Sequence, residues 1–142
     1  MQVQEIMTAR ARVIDPNTSI AKAAQAMRAD NIGALPVGEN DRLIGMVTDR
    51  DIAMRAVAEE RPSGNTAVRE VMSAHIYYCF EDDDIERAAE LMAKHQIHRL
   101  PVLNRDKRLV GMLALADLAR SDGDATKTAL AGISEPTDQP RR

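Results

Sequence analysis

Two short stretches of this chain hold side chains at spacings that suit chemistry. In Thr48-Asp49-Arg50-Asp51 a hydroxyl and a carboxylate stand three residues apart. At a helix start both would project from one face of the first turn. A carboxylate so placed accepts hydrogen bonds from hydroxyl groups, and the free amides of a helix start attract phosphate. The second stretch is His98-Arg99, directly before Leu100-Pro101-Val102. A guanidinium makes a paired contact to phosphate that neutral side chains cannot match. Each pattern has a plainer use as well. Threonine at an N-cap with acid in the first turn is ordinary helix capping, and His-Arg on a strand can simply face water. Tyr77 and Tyr78 could stack on a flat ring, although alternation along a strand turns one of them inward.

Other chemistries find no footing. Cys79, His75, His95 and His98 follow no recognised zinc spacing, so no metal site is expected. Thr66 and Ser73 near His75 form no arrangement of nucleophile, base and orienting acid, and no enzyme is expected. Glu81-Asp82-Asp83-Asp84 lacks the alternating ligands and glycine of a calcium loop; it suits a helix beginning near Ile85.

The elements that must position these residues occur twice. Ile6-Met7-Thr8 returns as Val71-Met72-Ser73, Ile20 to Met27 as Ile85 to Met92, and Ile32 to Val37 as Ile97 to Val102, all at an offset of 65 residues. Leu43-Ile44-Gly45-Met46 returns as Leu109-Val110-Gly111-Met112, and Asp51-Ile52-Ala53 as Asp117-Leu118-Ala119, now at 66. The extra residue falls in a polar turn after Val37, where an insertion is tolerated.

Within the first copy, Arg12-Val13-Ile14 reads as a short strand and Ser19 as the N-cap of a helix with the apolar stripe Ile20, Ala23, Ala24 and Met27. Ala34–Val37 and Leu43–Val47 read as strands, the first an edge strand because of Pro36. A helix capped by Thr48 follows. The second copy repeats the order: a strand at Ile76–Cys79, a helix near 84–95, strands near 99–103 and 108–113, and a helix near 115–120. This divides the chain into residues 1–60, a linker at 61–67, residues 68–121, and a tail at 122–142 expected to be mobile.

Composition narrows the class. The chain has 142 residues, 44% hydrophobic and 29% charged, with no apolar run near the length of a membrane span. A net charge of −3 with scattered basic residues argues against nucleic-acid binding. One cysteine, no internal disulfide and no visible signal peptide point to the cytoplasm. A unit of about 65 residues buries little apolar surface alone, so the two copies are expected to fold together.

Asn31-Ile32-Gly33-Ala34-Leu35-Pro36-Val37 followed by Leu43-Ile44-Gly45-Met46-Val47-Thr48-Asp49-Arg50-Asp51-Ile52 resembles a CBS domain, and the second copy resembles another. The resemblance, to a stand-alone tandem CBS pair or Bateman module, spans about residues 3–120. It implies an α+β fold of two strand-helix-strand-strand-helix repeats related by a pseudo-twofold axis. It also implies a regulatory module that binds adenosine-containing ligands such as AMP, ADP, ATP or S-adenosylmethionine between the repeats. Homodimerisation through the apolar helix faces is implied too, as is action on an unidentified protein target.

The family's motif of glycine, two apolar residues, Thr or Ser, two variable residues and Asp is complete as Gly45 to Asp51. In the second copy Asp117 remains but Ala114 replaces the hydroxyl. The His98-Arg99 run is similar to phosphate-binding strands of the AMP-activated kinase gamma subunit. By this resemblance one cleft would combine Thr48 and Asp51 with Tyr77, Tyr78, Ile97 and His98. The other would combine Asp117 and Arg99 with Val13, Ile32, Gly33 and Ala34. The Asp51 cleft is expected to be the stronger. The alternative is a ligand-free structural or stress-related dimer, with Ala114 a sign of decay.

Overall fold

Each long helix opens where a short polar side chain can hold its first free amides. In the computed structural model, which describes residues 1–121 and 123–135, Ser19 accepts from Lys22 N–H and opens α1 (Ile20–Asp30). Asp84, the last of the acidic run, accepts from Glu86 N–H and opens α3 (Ile85–His95). Both helices end on a left-handed residue, Asn31 at φ 53° and Gln96 at φ 54°. Asparagine tolerates that conformation better than most side chains.

Around these helices the chain forms two units. One holds Met1–Ala11 and Tyr77 onward; the other holds Arg12–Ile76. The sequence repeat and the packed unit are therefore different stretches of chain, because each unit is completed by the segment that leads the other copy.

In the Arg12–Ile76 unit, β2 (Ala34–Glu39) pairs antiparallel with β3 (Arg42–Thr48), with a register shift after Val37. Helix α2 (Asp49–Ile52) follows and continues into a wider π turn at Ala53–Val57. The expected strand at Arg12–Ile14 is reduced to one parallel bridge between Ile14 and Val37. Ile20, Ala23, Met27, Leu35, Val37, Val47, Ala56, Val68 and Val71 make the core. Ala24, expected in the apolar stripe of α1, is exposed instead. The returning segment is held by Val68 N–H to Thr18 O (2.8 Å) and by two bonds between Met46 and Ser73 (2.9 and 2.8 Å). Arg55 adds bonds from its guanidinium to the carbonyls of Val71 and Met72.

The other unit is built the same way. A sheet in the order β1-β6-β5-β4 contains β1 (Thr8–Ala9), β4 (Cys79–Phe80), β5 (Arg99–Leu103) and β6 (Leu109–Ala114). Thr8 stands opposite Met112, the counterpart of Ser73 opposite Met46. A β-carbon on Gly45 would lie 2.8 Å from the Ser73 carbonyl, and one on Gly111 2.7 Å from that of Thr8. The recurring Met-Thr and Met-Ser pairs thus dock on the recurring glycines, each in the unit of the other copy.

Helix α4 (Leu115–Ser121) is followed by α5 (Gly123–Ile133), which packs on α3 and buries Ala125, Ala129 and Ile133. This corrects the expectation of a mobile tail for residues 123–135. Gly132 allows close approach to Ala93 of α3, and Gln96 donates to the carbonyls of Gly132 and Glu135 (3.2 and 2.8 Å). Residue 122 and residues 136–142, also assigned to that tail, lie outside the described residues.

Candidate functional site

Both expected site sets draw on both units, and each unit's share has its own geometry. In the Arg12–Ile76 unit, β3 runs directly into α2, so Thr48 is the last strand residue and the helix N-cap. Thr48 Oγ1 accepts from Asp51 N–H at 3.0 Å, and Asp51 Oδ2 accepts from Thr48 N–H at 2.9 Å. This reciprocal capping box fixes both rotamers. It is also the plainer use anticipated for the pair. Capping consumes one carboxylate oxygen only. Asp51 Oδ1 has no hydrogen-bond or ion-pair partner among the described residues, and both side chains are half-buried.

Register brings Ala34 opposite Thr48, and Gly33 O accepts from Asp49 N–H at 2.9 Å. Gly33, Ala34, Thr48 and Asp51 therefore gather at one end of the β2–β3 pair. The Asp49 carboxylate lies over Gly33, where a β-carbon would come within 2.7 Å of its Oδ2. Asp49 was not among the expected residues; its only sequence signal was its position in the first turn of α2. Ile32 and Val13 are exposed apolar side chains. Val13 lies against Gly38, further along the strand pair.

In the other unit β6 runs into α4 in the same manner. Ala114 N–H donates to Asp117 Oδ2 at 2.8 Å, so half of the capping box persists without the hydroxyl. The other oxygen, Oδ1, is engaged by Arg120 one turn along the helix. Asp117 is 5% exposed. The strand end and the Arg120 side chain enclose it, whereas Asp51 is half-buried. Arg120 was likewise missed, although a cation three residues after an acid is a readable pairing signal.

His98 O accepts from Leu115 N–H at 2.8 Å, the counterpart of the Gly33–Asp49 bond, and Arg99 stands opposite Ala114. Both His98 and Arg99 are exposed, while Ile97 is buried in the core. Tyr77 is half-buried and stacks on His95, with ring centroids 3.6 Å apart and 13° between planes. Tyr78 meets Phe80 edge-on at 5.7 Å and is the more exposed of the two tyrosines. A flat ligand would have to displace His95 to reach the same face of Tyr77.

Cys79 is buried, and desolvation, aided by the negative charge of Asp83, pushes its thiol up to about 12. It is inert as a nucleophile near neutral pH. No group of three or more potential metal ligands comes together among the described residues. No described helix is long and apolar enough to cross a membrane.

Comparison with known proteins places this geometry in context. The sequence profile of the CBS domain matches residues 3–57 and 68–124. The CBS domain-containing protein YhcV of Bacillus subtilis is 42% identical over 134 residues, which is 93% of this chain and 94% of that protein. The crystal structure of Hypoxic Response Protein I with two coordinated zinc ions superposes with a TM-score of 0.78 at 36% identity, covering 85% of this chain and 98% of that one. The CBS domain pair of protein MJ0100, in complex with 5′-methylthioadenosine and S-adenosyl-L-methionine, gives a TM-score of 0.77 at 28% identity, covering 87% and 97%.

Proposed function

Because the chain belongs to the CBS-domain family, as two CBS repeats in an α+β fold, we propose that it is a regulatory module that binds an adenosine-containing ligand. The observation that supports this reading most directly is the free oxygen of Asp51. The capping box holds the carboxylate rigidly by Oδ2 and leaves Oδ1 to accept from ribose hydroxyls. A preordered acceptor binds at a lower entropic cost than a mobile one. His98 and Arg99, exposed at the start of β5, supply donors for a phosphate.

Ligand state would act through the shape or partner affinity of a homodimer in the cytoplasm, with a separate protein as target. The apolar surface for such a dimer lies on the turn after α2, where Met54 and Val57 are 57% and 66% exposed. A monomer by light scattering at tens of micromolar would count against it. The competing reading, a dimer that binds nothing, draws on Asp117, both of whose oxygens are engaged. Thermal-shift measurements with AMP, ADP, ATP, S-adenosylmethionine and 5′-methylthioadenosine separate the two. A ligand at 100 times its Kd raises stability by about 2.7 kcal/mol; no shift with any of them favours the empty dimer.

A further inference from the structure

We propose that Arg120 masks Asp117 and so makes the two aspartates unequal toward the same ligand; this rests on the reading that Asp51 and Asp117 receive ribose hydroxyls. The two carboxylates begin alike. Each gives Oδ2 to the amide at the end of its strand, Thr48 N–H at 2.9 Å and Ala114 N–H at 2.8 Å. They differ at Oδ1. The residue one turn after Asp51 is Met54, which cannot pair with a carboxylate and is 57% exposed. The residue at the same place after Asp117 is Arg120, whose guanidinium engages Oδ1.

A ribose hydroxyl needs an acceptor, and arginine offers only donors. While Arg120 holds Oδ1, one of that oxygen's two lone pairs is taken and the guanidinium crowds the approach to the other. Oδ2 already accepts from the Ala114 amide, and turning it fully to the ligand would leave that amide without its partner. The mask is nonetheless removable. The Arg120 side chain is 70% exposed, and among the described residues its one ion pair is with Asp117. An exposed cation of this kind holds its partner weakly, so the handicap is limited to about fivefold in affinity. Arg120 is therefore a specificity-setting residue that acts through Asp117.

The test is calorimetric titration of adenosine into the full chain, using the uncharged nucleoside so that Arg120 cannot attract a phosphate directly. Wild type, Arg120→Met (the side chain found one turn after Asp51), Arg120→Lys and the double variant Arg120→Met/Asp117→Ala are compared. Arg120→Met should tighten the weaker event about fivefold, or reveal it if wild type shows one event, and leave the tighter event unchanged. Arg120→Lys should behave like wild type, and the double variant should lose the gain. Raising salt on wild type should strengthen the weaker event by screening the pair, a measurement independent of how the variants fold. If adenosine binds wild type but neither Arg120→Met nor salt changes the weaker event by more than about twofold, the mask is refuted and the binding reading survives. If no protein in the set binds, the binding reading falls and the mask with it.

Discussion

In the proposed reading Asp51 caps a helix with one oxygen and receives ligand with the other, and a pair of substitutions separates the two roles. Asp51→Asn keeps a neutral oxygen for Thr48 N–H, whereas Asp51→Ala removes both oxygens. The cap is a 2.9 Å bond to a half-buried carboxylate within a reciprocal box. A carboxylate bond gains about 1.5–3 kcal/mol, but partial exposure brings this cap down to about 1 kcal/mol. For a chain of this length that is a fall in Tm of about 3–5 °C for Asp51→Ala. Asp51→Asn should stay within about 2 °C of wild type, because the bond to Thr48 persists. Ligand affinity should order differently. Asn, with its one oxygen kept by Thr48 N–H, presents an amide NH2 where Oδ1 stood; a donor cannot accept from a ribose hydroxyl, so affinity falls as far as for Ala. Ala loses the acceptor entirely, for about tenfold to more than a hundredfold. Thermal melts and calorimetric titration of AMP and 5′-methylthioadenosine provide both readouts. If Asp51→Asn binds as tightly as wild type, the free oxygen is not what the ligand uses. If Asp51→Ala melts with wild type, the box contributes nothing and the rigid-acceptor argument fails.

Gly45→Ala should cost about 1–3 kcal/mol, because its β-carbon meets the fixed carbonyl of Ser73 at 2.8 Å; Gly64→Ala, with nothing within 4 Å, is the matched control in the same melts. The Cys79 thiol, raised from 9.0 to about 12, binds its proton more tightly when folded. Stability from this group is full below pH 9 and falls between about pH 9 and 12, by up to about 1.4 kcal/mol per pH unit. Denaturant titrations of wild type and Cys79→Ala across that range should diverge by this slope, and equal slopes would contradict the burial. Gln96→Ala removes both side-chain bonds that tie the end of α5 to α3, costing about 1 kcal/mol each at most. Amide exchange should quicken at residues 130–135 and remain unchanged in α1.

The local elements were legible from the chain alone. The stripe Ile20, Ala23 and Met27, the caps Ser19 and Thr48, and β5 at Arg99–Leu103 follow from short-range periodicity and capping chemistry, which act within a few residues. So does the pairing of Thr48 with Asp51, because a capping box closes inside one turn. What the tertiary structure alone decided lies at longer range. Met7-Thr8 and Met72-Ser73 recur in the sequence, but nothing local says that each docks in the unit of the opposite copy against Gly111 and Gly45. The segment after Ser121 reads as a polar, mobile tail until Ala125, Ala129 and Ile133 find the face of α3, since three small or aliphatic residues carry no signal without the surface that buries them. The same holds for Asp117. Its sequence position matches that of Asp51, and only the folded chain, by burying the carboxylate and setting Arg120 on its second oxygen, makes the two chemically different.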